Sequence, residues 1–67
     1  MELKEKWIVT YTWHTHEEEW KIGTKIVEGD SIGQVLYEVG DELSYEMEQN
    51  NWSDYWITGI NIIPELH

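Results

Sequence analysis

The chain has no cysteine, no arginine and no phenylalanine, and its single proline is Pro64. Without cysteine, neither a disulfide framework nor a cysteine-based zinc site can form, and a reducing compartment suits the chain. Basic residues are scarce as well. Four lysines face fourteen acids for a formal net charge of −10, and no lysine follows Lys25. Such a chain is repelled by nucleic acid and by anionic lipid, so direct nucleic-acid binding is not expected, whereas basic surfaces attract it. No apolar run approaches the ~20 residues of a membrane span. The opening Met1-Glu2-Leu3-Lys4-Glu5-Lys6 is too charged for a signal peptide. The expected setting is cytoplasmic, with no membrane association. The sequon Asn51-Trp52-Ser53 is therefore read as accidental.

Catalytic signatures are missing too. Histidine, serine and carboxylates are present, but no nucleophile has a neighbouring base in a defined motif. Gly29-Asp30-Ser31-Ile32-Gly33 reads as a loop entering a helix cap, and the acids around it would repel a phosphate. The chain is expected not to be an enzyme and to need no cofactor.

What is present is aromatic and periodic. Sixty-seven residues with five tryptophans and four tyrosines make one small domain, 1–67, whose core depends on large side chains with few rotors to freeze. Over about 5–15, Trp7, Val9, Tyr11 and Trp13 alternate with Ile8, Thr10, Thr12 and His14, the period of a half-buried strand. Over about 19–28, Trp20, Ile22, Thr24 and Ile26 again share a face. A hairpin across His16-Glu17, or across the longer Thr15-His16-Glu17-Glu18, sets Trp13 opposite Trp20, Tyr11 opposite Ile22 and Trp7 opposite Ile26. All the large apolar side chains then fall on one side, the agreement that usually fixes register.

Asp30 or Ser31 can cap a helix over about 31–49, with Ser31 and Gln34 at capping-box spacing. Ile32, Val35, Leu36, Val39, Leu43 and Met47 recur on one face of it. Gly40 beside that face is expected to allow a close approach to the sheet, and Asn50-Asn51 to end the helix. A third strand over about 54–63 stops at Pro64. A right-handed crossover gives an α+β fold, ββαβ, with a three-stranded antiparallel sheet of order 2-1-3 and the helix on one face. Ile8, Tyr55, Ile57 and Val27 are expected on the uncovered face. Open edges and such a face make a homodimer the expected state.

The helix poses the functional question. Residues 37–49, YEVGDELSYEMEQ, hold Glu38, Asp41, Glu42, Glu46 and Glu48 and no basic residue. On a helical wheel Glu38, Asp41, Glu42 and Glu48 lie opposite the apolar stripe with Tyr37 and Tyr45, while Glu46 sits near the core boundary. Like charges three or four residues apart cost ~0.2–0.5 kcal/mol per pair, and Glu46 and Glu48 oppose the negative end of the helix dipole. Two readings remain open. The face is solvated and serves solubility, or it imitates a row of phosphates, since carboxylates four residues apart rise ~6 Å along the axis, the same order as successive phosphates on one strand. Asp54, Glu28 and Asp30 would extend that surface at the helix ends.

In size, acidity and strand–helix–strand style the chain resembles the small DNA-mimic inhibitors that bacteriophages direct against host proteins. The resemblance is one of character over the whole chain; such mimics share no motif. It implies a phage-encoded inhibitor in the host cytoplasm. Its partner would be a basic DNA-binding protein, with a histone-like nucleoid protein the first choice. Glu38, Asp41, Glu42, Glu48, Tyr37, Tyr45 and Asp54 would form the contact. The alternative is a small homo-oligomeric interaction module that uses the open sheet face and strand edge.

Two other features are read structurally. His14 and His16 with Glu17, Glu18 and Glu19 have the residue types of a zinc site, but His14 is expected to pair with Glu19 across the hairpin and His16 to sit in the turn, so no metal is assigned. His67 is expected to be disordered. Trp7, Trp13, Trp20 and Trp56 are assigned to the core, since stacking on single-stranded bases would need a positive groove. Trp52 is left as a candidate exposed anchor.

Overall fold

The computed structural model describes residues 4–17 and 19–64. Four elements follow one another: β1 (Glu5–Thr15), β2 (Trp20–Gly29), α1 (Ile32–Asn50) and β3 (Trp52–Ile63). The sheet is antiparallel with order β2-β1-β3, the α+β topology expected from the sequence. The start of α1 is capped by Ser31, whose Oγ accepts from the Gln34 amide at 3.2 Å, while Gln34 Oε1 accepts from the Asp30 amide at 2.8 Å. The Ser31 contact satisfies an amide that the first turn leaves without a partner, and the Gln34 side chain reaches back one residue beyond the usual box, to the residue before the cap. The helix ends at Asn51 in the left-handed region, φ 56°, with its amide donating to the Met47 carbonyl. Asparagine tolerates that conformation better than most residues.

The hairpin register differs from the expected one by a single residue. Pairs run Trp7↔Val27, Ile8↔Ile26, Thr12↔Ile22 and His14↔Trp20. The cause lies in the loop. The Thr15 amide donates to the Glu19 carbonyl at 3.0 Å, which leaves three residues in the connection where two or four were expected, and an odd number changes the parity. Thr15 Oγ1 supports this loop by accepting from the amides of Glu17 and Glu19, each at 3.3 Å. Because side chains alternate along a strand, the shift turns all of β2 over. Trp20, Ile22 and Ile26 join Ile8 on the face away from the helix, and Lys21, Gly23, Lys25 and Val27 face it.

β3 also departs from expectation, because it carries two register shifts against β1. Thr10 pairs with Gly59 and Tyr11 with Ile57, leaving Thr58 extra; His14 pairs with Asp54 and Thr15 with Trp52, leaving Ser53 extra. Each bulge switches the side on which the next residues point. Tyr55, Ile57 and Ile60 thereby all pack on the core, and Trp56 faces outward. Tyr55, Ile57 and Val27, expected on the open face, are thus core neighbours, while Trp20 and Trp56, expected in the core, are exposed.

The core is Trp7, Val9 and Tyr11 from β1 with Val35, Val39 and Leu43 from α1. Trp52 is not an exposed anchor. The second bulge brings it to the helix side, where its ring stacks on Trp13 at 4.8 Å. The close-approach glycines are also not the expected one. A Cβ on Gly40 would meet nothing within 4 Å, whereas one on Gly29 would lie 2.6 Å from Val35 Cγ2 and one on Gly23 2.7 Å from Tyr11 Oη. The Tyr11 ring occupies the space a side chain at position 23 would need, and Gly29 lets β2 run against α1. The Gly29 carbonyl accepts from Trp7 Nε1 at 3.1 Å.

Candidate protein-binding surfaces

The outer face of α1 comes first. Tyr37, Glu38, Asp41, Glu42, Tyr45 and Glu48 are all exposed. Tyr37, Asp41, Tyr45 and Glu48 lie opposite the buried Val35, Val39 and Leu43, whereas Glu42, expected there too, is seven residues from Val35 and three from Val39 and so sits at the edge of the buried face. The two tyrosines interrupt the acids, and Asp41, Glu42, Ser44, Tyr45 and Glu48 line a shallow depression along the helix. One rise of four residues separates Glu38 from Glu42, and ten residues, or ~15 Å of axis, separate Glu38 from Glu48.

The turned-over β2 modifies this surface in a way the sequence did not indicate. Lys25 points at the helix and meets Glu46 Oε1 at 2.9 Å and Glu42 Oε2 at 3.4 Å, with its side chain only 18% exposed. The like-charge pair Glu42/Glu46 thus has its counter-ion from the sheet, not from the helix. Burial alone would lower the Lys25 pKa, but the hydrogen bond and charge of Glu46, followed by those of Glu42, outweigh it and the net shift is upward. Glu38, Asp41 and Glu48 lie outside that cluster. Among the described residues, the ion pairs of α1 are those two with Lys25.

Asp54 does not join the helix acids. It pairs with His14 in the register and so lies on the opposite face of the sheet, its Oδ1 accepting from the Tyr55 amide at 2.8 Å. Nor does His14 oppose Glu19. Its neighbours are Trp20 and Asp54, its ring packs 4.6 Å from that of Trp20, and its Nδ1 lies 2.7 Å from Ser53 Oγ, which donates to the His14 carbonyl at 2.9 Å. Among the described residues, no three of His, Asp and Glu gather as a metal set. Glu18 and His67 lie outside the described residues.

The second surface is the open sheet face, and sequence reasoning misplaced its members. Trp20 is 58% exposed, Ile22 73%, Ile26 65% and Trp56 47%. Trp20 and Trp56 reach across β1 to bring their rings within 5.0 Å. The signal that could have located this patch was the odd loop length, since only the parity of the hairpin decides which side of β2 is outside. No helix of the described residues is long and apolar enough to cross a membrane. Compared with family models, with curated proteins and with solved structures, the chain matches none, so the functional reading is built from these two surfaces.

Proposed function

We propose that this chain is a non-catalytic, acidic DNA-mimic inhibitor. It would occupy the nucleic-acid-binding surface of a basic protein through the outer face of α1. The observation that supports this reading is the exposed group Glu38, Asp41 and Glu48, interleaved with exposed Tyr37 and Tyr45 and outside the Lys25 cluster. Carboxylates in a row at helical rise attract a groove lined with lysine and arginine, and the exposed tyrosines supply rigid contact area. Association would be fast, steered by charge and weakened by salt. By the resemblance in character noted above, the first target class is a bacterial histone-like protein, met by a phage-encoded inhibitor in the host cytoplasm.

The variant that tests this reading avoids Glu42, because a lysine there would stand beside Lys25 and disturb the fold. Glu38→Lys with Asp41→Lys reverses two charges on the outer face alone. Captured from nuclease-treated bacterial lysate over a salt series, the target is expected to be a nucleic-acid-binding protein that moderate salt or added DNA releases. The double variant is expected to lose it. Retention by the double variant, or indifference to DNA, refutes mimicry.

A second reading is favoured by the open sheet face. Four large apolar side chains exposed on one side of a 67-residue chain suit an interaction module whose acidic helix serves solubility. Binding through that face tolerates salt and is abolished by a charge at Ile22.

A further inference from the structure

We infer that the open sheet face is covered by a second copy of this chain. The copies would stack face to face about a two-fold axis that lies between the sheets and runs across the strands. This deepens the second reading by committing the occupant, and it is independent of what the helix binds.

Charge permits a copy of the chain on this face alone. The protein carries a net charge of −10, so two copies repel through almost any approach. The open face is the exception: its strand positions carry Lys6 against Glu28 and Asp54, with the remaining acids of the described residues on α1, in the loops or at the strand start. Stacked sheets lie ~10 Å apart. With a helix layer ~10 Å thick on each outer side, the two acidic helices end up roughly 30 Å apart, well beyond the ~8 Å over which charges are felt at physiological salt.

Area is consistent with a dimer. Ten paired positions along the hairpin at ~3.3 Å and three strands at ~4.8 Å give a footprint of roughly 480 Å² per copy. Side chains standing off that plane add to it, so the pair reaches the ~1,000 Å² that separates specific interfaces from casual ones.

Side-chain positions select the axis. Thr10 and Thr24 are partners at the middle of the hairpin. A two-fold axis passing over this pair and across the strands sets Ile22 of each copy on Ile26 of the other, twice. The same operation brings Lys6 of one copy to the His14 end of the second, one strand from that copy's Asp54. A two-fold axis along the strands would instead set Lys6 on Lys6 and lay β2 over β3, with Ile26 of each copy on Asn61 of the other.

Sedimentation equilibrium on the whole chain tests this, with circular dichroism as the check on fold. The wild type is expected to be a dimer at micromolar concentration. Ile22→Asp alters a side chain that is already exposed, so it should stay folded and become monomeric, its dimer weakened at least about 100-fold. Lys6→Asp and Asp54→Lys are each expected to weaken the dimer by about tenfold, each contact occurring twice by symmetry. The combined variant restores it. A wild type that is monomeric at 100-fold higher concentration overturns the inference, whatever else binds the face. So does a dimer that survives Ile22→Asp, which would place the contact at a strand edge, or a combined variant no better than the singles.

Discussion

Replacing Lys25 with methionine removes the ammonium and its hydrogen bond while keeping most of the apolar stem, so it tests what the ion cluster contributes to stability. Exposed pairs contribute ~0.2–1 kcal/mol, and breaking a fully buried one costs ~3–5. The Lys25 cluster lies between these limits, with side-chain exposures of 18% for Lys25, 33% for Glu46 and 54% for Glu42. The 2.9 Å contact with Glu46 is the stronger, about 1–1.5 kcal/mol at this exposure. The longer contact with the more exposed Glu42 adds ~0.3 kcal/mol. Removing the cation also leaves Glu42 and Glu46 to repel each other one turn apart, for a further ~0.2–0.5 kcal/mol. Lys25→Met is thus expected to cost about 2 kcal/mol, which in a domain of this size lowers Tm by roughly 8–16 °C. Urea unfolding followed by tryptophan fluorescence measures it, with an unchanged m-value showing that compactness is preserved. A double-mutant cycle with Glu46→Gln apportions the direct contact. If Lys25→Met is as stable as the wild type at low salt, or if the cycle gives no coupling, the cluster contributes nothing to stability.

The upward shift of the Lys25 pKa carries a sign. A group whose folded pKa exceeds its unfolded value stabilises fully below the unfolded value and loses that contribution as pH rises through the folded one. The stability gap between wild type and Lys25→Met should therefore hold at neutral pH and close only above the ordinary lysine value of 10.5, read as urea midpoints at rising pH. The glycines give opposite outcomes for one substitution. Gly40→Ala, in the helix interior with open space around the new methyl, should stabilise by about 0.5–1 kcal/mol. Gly29→Ala, whose methyl would sit 2.6 Å from Val35 Cγ2, should destabilise by about 1–3 kcal/mol. Thermal melts of the two variants check both.

The topology was legible because each element announces itself locally: alternation in Trp7 to Trp13, the apolar stripe from Ile32 to Met47, the Ser31 and Gln34 box, the Asn51 stop. Sidedness was not, for reasons specific to three places. The face of β2 depends on whether the hairpin loop is odd or even, and nothing in His16-Glu17-Glu18 states that; the closing bond is from the Thr15 amide to the Glu19 carbonyl, with the Thr15 hydroxyl in support. In β3, strict alternation would put Ile57 and Ile60 on opposite sides. The extra residue Thr58 reconciles them, and a bulge has no signature in composition. Lys25 reads from sequence as an ordinary strand lysine because its partners are 17 and 21 positions away. Glu38, Asp41 and Glu48 are exposed on the helix as its period indicates, but Glu42 turns to Lys25 at the edge of the buried face, and Asp54 lies on the far side of a bulged strand.

The pairing of Lys6 with Ile63 has a mechanical consequence. The start of β1 and the end of β3 lie side by side on neighbouring antiparallel strands, pointing out of the same end of the molecule. Tension applied through those two points would load the ladder between β1 and β3 one rung at a time, as a zipper is opened, rather than all rungs together in shear. The fold is thus built to yield at low force from that end. For the same reason it could be set into a loop of a larger protein without separating the loop's two ends.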